Sequence, residues 1–321
     1  MKERLCHASV ALLAIAVAPA VCAQNYPAKP IRMVVSTAAG GSADFIGRLV
    51  AGRMAGPLGQ QVVVENRSGS GGVVGTEFVA KSAPDGYVLL LAYGSHVINP
   101  ALYPKLPYDT TRDFAAVSQI AVQPLILSVH PALPARTVKE LISLAKARPG
   151  QLNFASAGAG SGGHLANVIF NYMADIKMVH VPYRGSSPAM IDLIAGNTQL
   201  YIASLITSLP HVRSGKVRGI AVTSAKRSSV MPEIPTIGET LHGYEVVNSY
   251  YLLAPAGTPN EIVTRLHAEA AKAIHLPDVV ERLAKDGAEP VGNSPAEATQ
   301  YIAQEIVKWG KAVKDSGAKP D

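Results

Sequence analysis

From Ile31 onward, short apolar runs of strand type alternate with segments whose apolar residues recur at helical spacing, and the alternation continues along the rest of the chain. A chain patterned this way is expected to fold as α/β, with largely parallel sheets flanked by helices. Ile31 to Ser36 reads as a first strand, and Phe45, Ile46, Leu49, Val50 and Met54 then mark a helical face. Gln61 to Glu65, a helix over Val73 to Ser82, and a strand at Tyr87 to Ala92 follow. A second alternating set fills the middle: Leu125 to Val129, a helix after Thr137, Leu152 to Ser156, a helix from His164 to Ala174, and Met178 to Val181. It closes with a helix at Pro188 to Ala195 and strands at Gln199 to Ala203 and Gly219 to Thr223. Two strand-like crossings, Gln119 to Val129 and Tyr244 to Ala254, predict one lobe inserted into another.

Helix starts are written plainly. Thr137 with Glu140 and Thr236 with Glu239 have capping-box spacing. Thr258-Pro259-Asn260-Glu261 and Ser294-Pro295-Ala296-Glu297 add proline at the first helical position, and Ser187 precedes Pro188 in the same manner. All five are read as caps.

The first residues have a different character. Lys2 and Arg4 precede an apolar run from Ala8 to Ala18, and small residues end at Val21-Cys22-Ala23, the order of a secretory signal peptide cut after Ala23. The apolar run is far shorter than the ~20 residues a spanning helix needs. Cleavage would remove both cysteines, Cys6 and Cys22, and leave 298 of 321 residues, enough for about two domains without disulfides. Removing Lys2, Arg4 and Glu3 from 29 basic and 23 acidic residues leaves 27 and 22, a mild excess scattered along the chain. With aromatics at 6% and no Lys/Arg stripe, the composition points away from nucleic acid; 48% hydrophobic and 16% charged residues describe a compact globular protein.

Gly158, Gly160 and Gly163 fall on G-x-G-x-x-G spacing between a strand and a helix, the pattern of a dinucleotide-binding turn. That reading needs an acid at the tip of the next strand to hold the ribose. The next strand runs Met178-Val179-His180-Val181 into Pro182-Tyr183-Arg184, with no acid there. No Walker loop, no H-E-x-x-H, no Cys/His grid and no G-x-S-x-G occurs, so neither a metal site of common type nor the commonest hydrolase elbow is expected. What recurs is one kind of turn. "AAGGSAD" (Ala38 to Asp44), "SAGAGSGGH" (Ser156 to His164) and "YRGSSPA" (Tyr183 to Ala189) each lead a strand into a helix. Such turns offer unpaired N–H groups and the positive end of a helix dipole, and two or three facing one another would receive a small organic anion.

Six long stretches carry a resemblance: "AGGSAD", "VVVENRSGSGGVVGTEFVAKSAPDGYVLLLA", "YDTTRDFAAVSQIA", "ARPGQLNFASAGAGSGGHLA", "VHVPYRGSSPAMIDLIAGNTQLYI" and "PEIPTIGETLHGYEV" with "LLAPAGTP". In this order they resemble the tripartite tricarboxylate transporter substrate-binding proteins, the TctC or Bug family, over essentially all of the chain after residue 23. The resemblance implies a two-lobed periplasmic-binding-protein fold of the type II, Venus-flytrap kind, each lobe a mainly parallel sheet flanked by helices. Residues 24–124 plus 249–321 would form one lobe and 125–248 the other. It also implies an exported, periplasmic, monomeric receptor that performs no catalysis, needs no cofactor, and hands a carboxylate to integral-membrane transporter subunits. A sensing subunit of a signalling system, or a nucleotide-dependent oxidoreductase built on Gly158, Gly160 and Gly163, are the alternatives.

Carried over position by position, the first ligand loop falls on Ala39, Gly40, Gly41, Ser42 and Asp44. The second falls on Ser156, Ala157, Gly158, Gly160, Ser161 and His164, and the VPYRGSSPA motif adds Tyr183, Ser186 and Ser187. Asp44 has a second reading, as an acid favoured by the dipole in a first helical turn. The chain departs from the family pattern with Ser36-Thr37 in place of Pro-Phe. It also has Ser204 where Asp or Asn is common, and Asn248-Ser249-Tyr250-Tyr251 where a Trp-containing stretch is usual. Ser204 and Tyr250 complete the expected ligand-binding set.

Overall fold

The computed structural model describes residues 26–285 and 287–316, and the expected signal peptide with both cysteines lies outside them. One strand, β4 (Phe114–Val129), organises the molecule. Its first half pairs with β9 (Val247–Pro255) and its last five residues with β7 (Leu200–Ser204) and β8 (Arg218–Val222), so it belongs to two sheets.

In the first sheet β1 (Ile31–Val35), β2 (Val62–Asn66) and β3 (Val88–Ala92) lie parallel, in the order β2-β1-β3-β9-β4. β9 and the short β10 (Glu289–Pro290) run against the other strands. In the second sheet β5 (Asn153–Ser156), β6 (Val179–Pro182), β7 and β8 share one direction and only β4 opposes them. Each lobe is therefore mainly parallel, as expected, and the exceptions are the strands that cross between sheets.

Successive side chains of a strand point to opposite faces, and both faces of the sheets are covered. Met33 and Val35 pack under α1 (Ser42–Leu58) and α8 (Asn260–Ile274) with Ile46, Val50 and Leu266, while Val34 and Leu90 join a core on the other face. That second core continues into the other lobe through Leu127, Phe154, Leu200 and Trp309, where α10 (Pro295–Ser316) packs on α3 (Ser95–Leu102) and β4 and reaches α5 (Gly162–Ala174).

Where the chain passes between sheets, Thr223 ties the crossings together. Its hydroxyl accepts from the Leu125 N–H at 2.8 Å and lies 2.6 Å from the Val246 carbonyl oxygen, fully buried. Strand backbone at this crossing is thus pinned by the Thr223 side chain.

Three of the five predicted caps behave as read. Thr137 accepts from Glu140 N–H to open α4 (Val138–Ala147), and Ser294 exchanges bonds with Glu297 at the start of α10. Thr236 and Glu239 form a full capping box, but it opens only a single 3-10 turn. Two readings need correction. Pro259 sits just outside α8, which begins at Asn260, and the Thr258 hydroxyl turns back to the Pro255 carbonyl. α6 (Ser186–Ile194) begins after Gly185, whose φ of +132° lets the helix start early, so Ser187 is not a cap.

Candidate functional site

Four helices begin at the interface between the lobes. α1 opens from Gly41, α5 from Ser161, α6 from Gly185, and α7 (Leu205–Arg213) from Ser204. At three of these starts no side chain caps the helix; only Ser161 accepts from a backbone N–H, that of His164. The first N–H groups of a helix have no partner within it. Here Gly41 and Ser42, Gly162 and Gly163, Ser186 and Ser204 surround a void of about 30 Å³. No charged side chain lines it. About half a positive charge at each helix start, together with free N–H donors, makes such a void attractive to an anionic head group without any Lys or Arg.

A larger cavity of about 300 Å³ adjoins this void and shares Thr37, Tyr93 and Ala157 with it. Tyr103 and the loop from Ser68 to Gly72 form one side, Gly158 and Tyr183 the other, and Arg184 is its one charged lining residue. An anionic group seated in the inner void would leave room for an organic body in this outer cavity.

The lobes touch around both spaces. Ser187 Oγ donates to the Ala39 carbonyl across the cleft at 3.4 Å. A Cβ on Gly185 would stand 2.8 Å from the Ala38 Cβ. Glycine is required at this approach, where the lobes stand closed on each other.

Among the predicted residues, Gly41, Ser42, Ser161, Ser186 and Ser204 line the inner void, Gly158 and Tyr183 the outer cavity, and Ala157 both. The rest hold the loops. Gly40 donates its N–H to Asp44 Oδ2 at 2.9 Å, and Arg48 Nε stands 2.9 Å from the other oxygen. Burial works to raise the Asp44 carboxyl, but the bonds from Arg48 and Gly40 outweigh it and hold it below the usual carboxylate value. In the second loop Gly160 donates its N–H to His164 Nδ1 at 3.2 Å, and Ser156 Oγ accepts from Gly158 N–H while lying 2.6 Å from His180 Nε2. The His164 ring stacks on that of His180 with centroids 4.1 Å apart. Burial, then the neighbouring imidazole, push His164 down to about 3, so it is neutral at physiological pH. Tyr183 directs its hydroxyl to Asp192 at 2.5 Å, away from the cavity. Tyr250 is fully buried one bond behind the void, with its hydroxyl on Ser42 Oγ at 2.8 Å.

The expected ligand-binding set omits Thr37, Tyr93, Tyr103 and Asn248, although Thr37 and Asn248 lie in stretches that depart from the family pattern. Asn248 carries a signal in retrospect, being two residues from Tyr250 on a strand and therefore on the same face. The turn at Ser68 to Gly72 has the same glycine and serine composition as the three turns singled out.

Among the described residues no group of three or more His, Cys, Asp or Glu side chains comes together that could hold a metal. Nor is any helix there long and apolar enough to cross a membrane.

The sequence profile described as "Tripartite tricarboxylate transporter family receptor" matches residues 46–318. The chain belongs to this receptor family. It is 38% identical to Protein BugT of Bordetella pertussis over 306 residues, 94% of each chain. Solved structures agree with this membership. "R. palustris Rpa4515 with adipate" superposes with a TM-score of 0.89 at 37% identity, covering 92% of this chain and 100% of its own. "MatC (Rpa3494) from Rhodopseudomonas palustris with bound malate" gives 0.86 at 32% identity, covering 90% and 100%. The receptor family is one of periplasmic solute-binding proteins, which accounts for the two-lobed fold.

Proposed function

We propose that this receptor captures one small organic carboxylate between its lobes and delivers it, unchanged, to integral-membrane subunits of a tripartite tricarboxylate transporter. The carboxylate head occupies the 30 Å³ void and the organic body the 300 Å³ cavity. The observation that carries this reading is the meeting of four helix starts, three of them without a side-chain cap, around a space with no charged side chain. Adipate and malate, bound to two relatives, are carboxylates.

The lobes are residues 24–124 with 249–321, and 125–248. The protein acts in the periplasm, as a monomer and without catalysis. Ligand contacts made by both lobes exist only when they meet, so binding favours the closed form through that difference. Calorimetric titration with di- and tricarboxylates, aromatic acids and acidic amino acids, paired with small-angle scattering, tests the reading. One or more anions should bind and compact the molecule; no heat and no compaction across the panel would reject it.

A further inference from the structure

The buried polar side chains behind the inner void form a line whose hydrogen-bond directions can be worked out. Gly94 N–H lies 3.2 Å from Asn248 Oδ1. A backbone N–H can only donate, so the Asn248 oxygen must face Gly94 and its NH2 must face the other way. That NH2 lies 2.9 Å from the Tyr250 hydroxyl, which therefore accepts from it. Tyr250 must spend its own hydrogen elsewhere. The nearer acceptor is Ser42 Oγ at 2.8 Å, against Gln123 Oε1 at 3.3 Å. Burial pushes the Tyr250 phenol up to about 12, so it keeps that hydrogen at any physiological pH. Ser42, accepting from Tyr250, is left with its hydrogen free, and Ser42 and Asn248 both line the inner void.

We infer that the relay from Gly94 through Asn248 and Tyr250 to Ser42 leaves the Ser42 hydroxyl hydrogen aimed into the void beside the free N–H groups of the helix starts, making Tyr250 a positioning residue that selects an ionised carboxylate over a neutral head group. This rests on the carboxylate reading above. A carboxylate offers only acceptors to that array. A carboxamide of the same shape would bring its own NH2 against at least one fixed donor, leaving buried donors unpaired. Sites built on fixed hydrogen-bond partners discriminate far more strongly than apolar ones. Gly94, Asn248, Tyr250 and Ser42 sit on β9, on α1 and on the connection before α3, all on the first sheet, with Asn248 the last residue before the lobe boundary, so none of the relay's bonds spans the cleft.

Neutron diffraction from deuterium-exchanged crystals of the ligand-free protein reads these directions directly. The Tyr250 deuterium should lie on the line to Ser42 Oγ, and the Ser42 deuterium should point into the void. A Tyr250 deuterium on Gln123, or a Ser42 deuterium on Tyr250, overturns the inference whatever the protein binds. Titration with adipate and with its diamide adds the functional test. The native protein should prefer adipate by about 100-fold or more. In Tyr250→Phe, where the Ser42 hydroxyl can turn to accept, the preference should shrink about tenfold. An unchanged ratio in a folded Tyr250→Phe protein would also refute the inference. If adipate does not bind at all, the neutron map still decides the relay, and the failure falls on the carboxylate reading alone.

Discussion

A Cβ placed on Gly71 would stand 1.9 Å from the carbonyl oxygen of Ala159, a residue of the opposite lobe. Gly71 also has a φ of +59°, which only glycine adopts without cost. The turn from Ser68 to Gly72 therefore meets the second glycine loop backbone to backbone, and both loops line the outer cavity.

Gly71→Ala is expected to fold, at a cost of about 1–2 kcal/mol for the left-handed backbone, but to be unable to close. Scattering with and without a bound carboxylate should show no ligand-induced compaction, and affinity should fall by about 100-fold or more, since closed-state contacts supply the differential binding. Normal compaction would mean that the two loops do not meet in the bound protein.

Where the chain crosses between sheets, Thr223→Val keeps the side-chain shape but removes the hydroxyl that satisfies Leu125 N–H and faces the Val246 carbonyl. Leaving a buried donor unpaired costs about 1–3 kcal/mol. The urea midpoint should drop accordingly with an unchanged slope, and a stability equal to the native protein's would show that the pinning is not structural.

The alternation of strands and helices makes the layering legible in the sequence, and the Thr137 and Ser294 helix starts appear where the spacing predicts them. Three helices escaped that reading. α3 and α7 carry Pro100 and Pro210 within them, and an internal proline ordinarily signals a break. The third, α9 (Pro277–Lys285), is only nine residues long. In the site, the glycine turns were visible because their composition reports backbone freedom. Which N–H groups remain free was not. Gly40 and Gly160 look like donors to a ligand, yet Asp44 and His164, four residues on in each case, already accept from them. Ser187 has the spacing of a cap, but a positive φ at Gly185 starts the helix earlier and frees the hydroxyl to bond Ala39 across the cleft. Asn248 lies in a stretch that departs from the family pattern, but its side-chain partners are not legible there. Its role is defined by Gly94 and Gly162, which approach it from distant parts of the chain.

Acid should destabilise the protein well before its carboxylates protonate. His96 and His164 are both pushed down to about 3, His96 by burial and His164 by burial and then by its His180 neighbour. In the unfolded chain both titrate near ~6.5. Below that value the unfolded state binds protons that the folded state refuses, so stability is complete above about pH 6.5 and lost as pH falls toward 3. Each histidine should remove about 2 kcal/mol between pH 7 and pH 5. Urea unfolding across that range should show the loss, and His96→Phe, which keeps a ring facing Phe114, should roughly halve the slope. A flat profile to pH 5 would contradict the burial of both rings.

The inner void makes a prediction in which stability and binding move in opposite directions. Ser204 opens α7 without a side-chain bond to its first N–H groups and is almost fully buried against the void. In Ser204→Glu, whose side chain is one methylene longer than the Asp that the family resemblance makes common at this position, the added carboxylate would reach into the space of about 30 Å³. It would then meet the helix starts that a ligand otherwise meets. An acid at a helix N-terminus contributes about 0.3–1 kcal/mol, so the ligand-free melting temperature should rise or hold while carboxylate binding disappears from calorimetry. Simple loss of folding would lower both. A variant that melts as the native protein does and still binds would place the anion somewhere other than among these four helix starts.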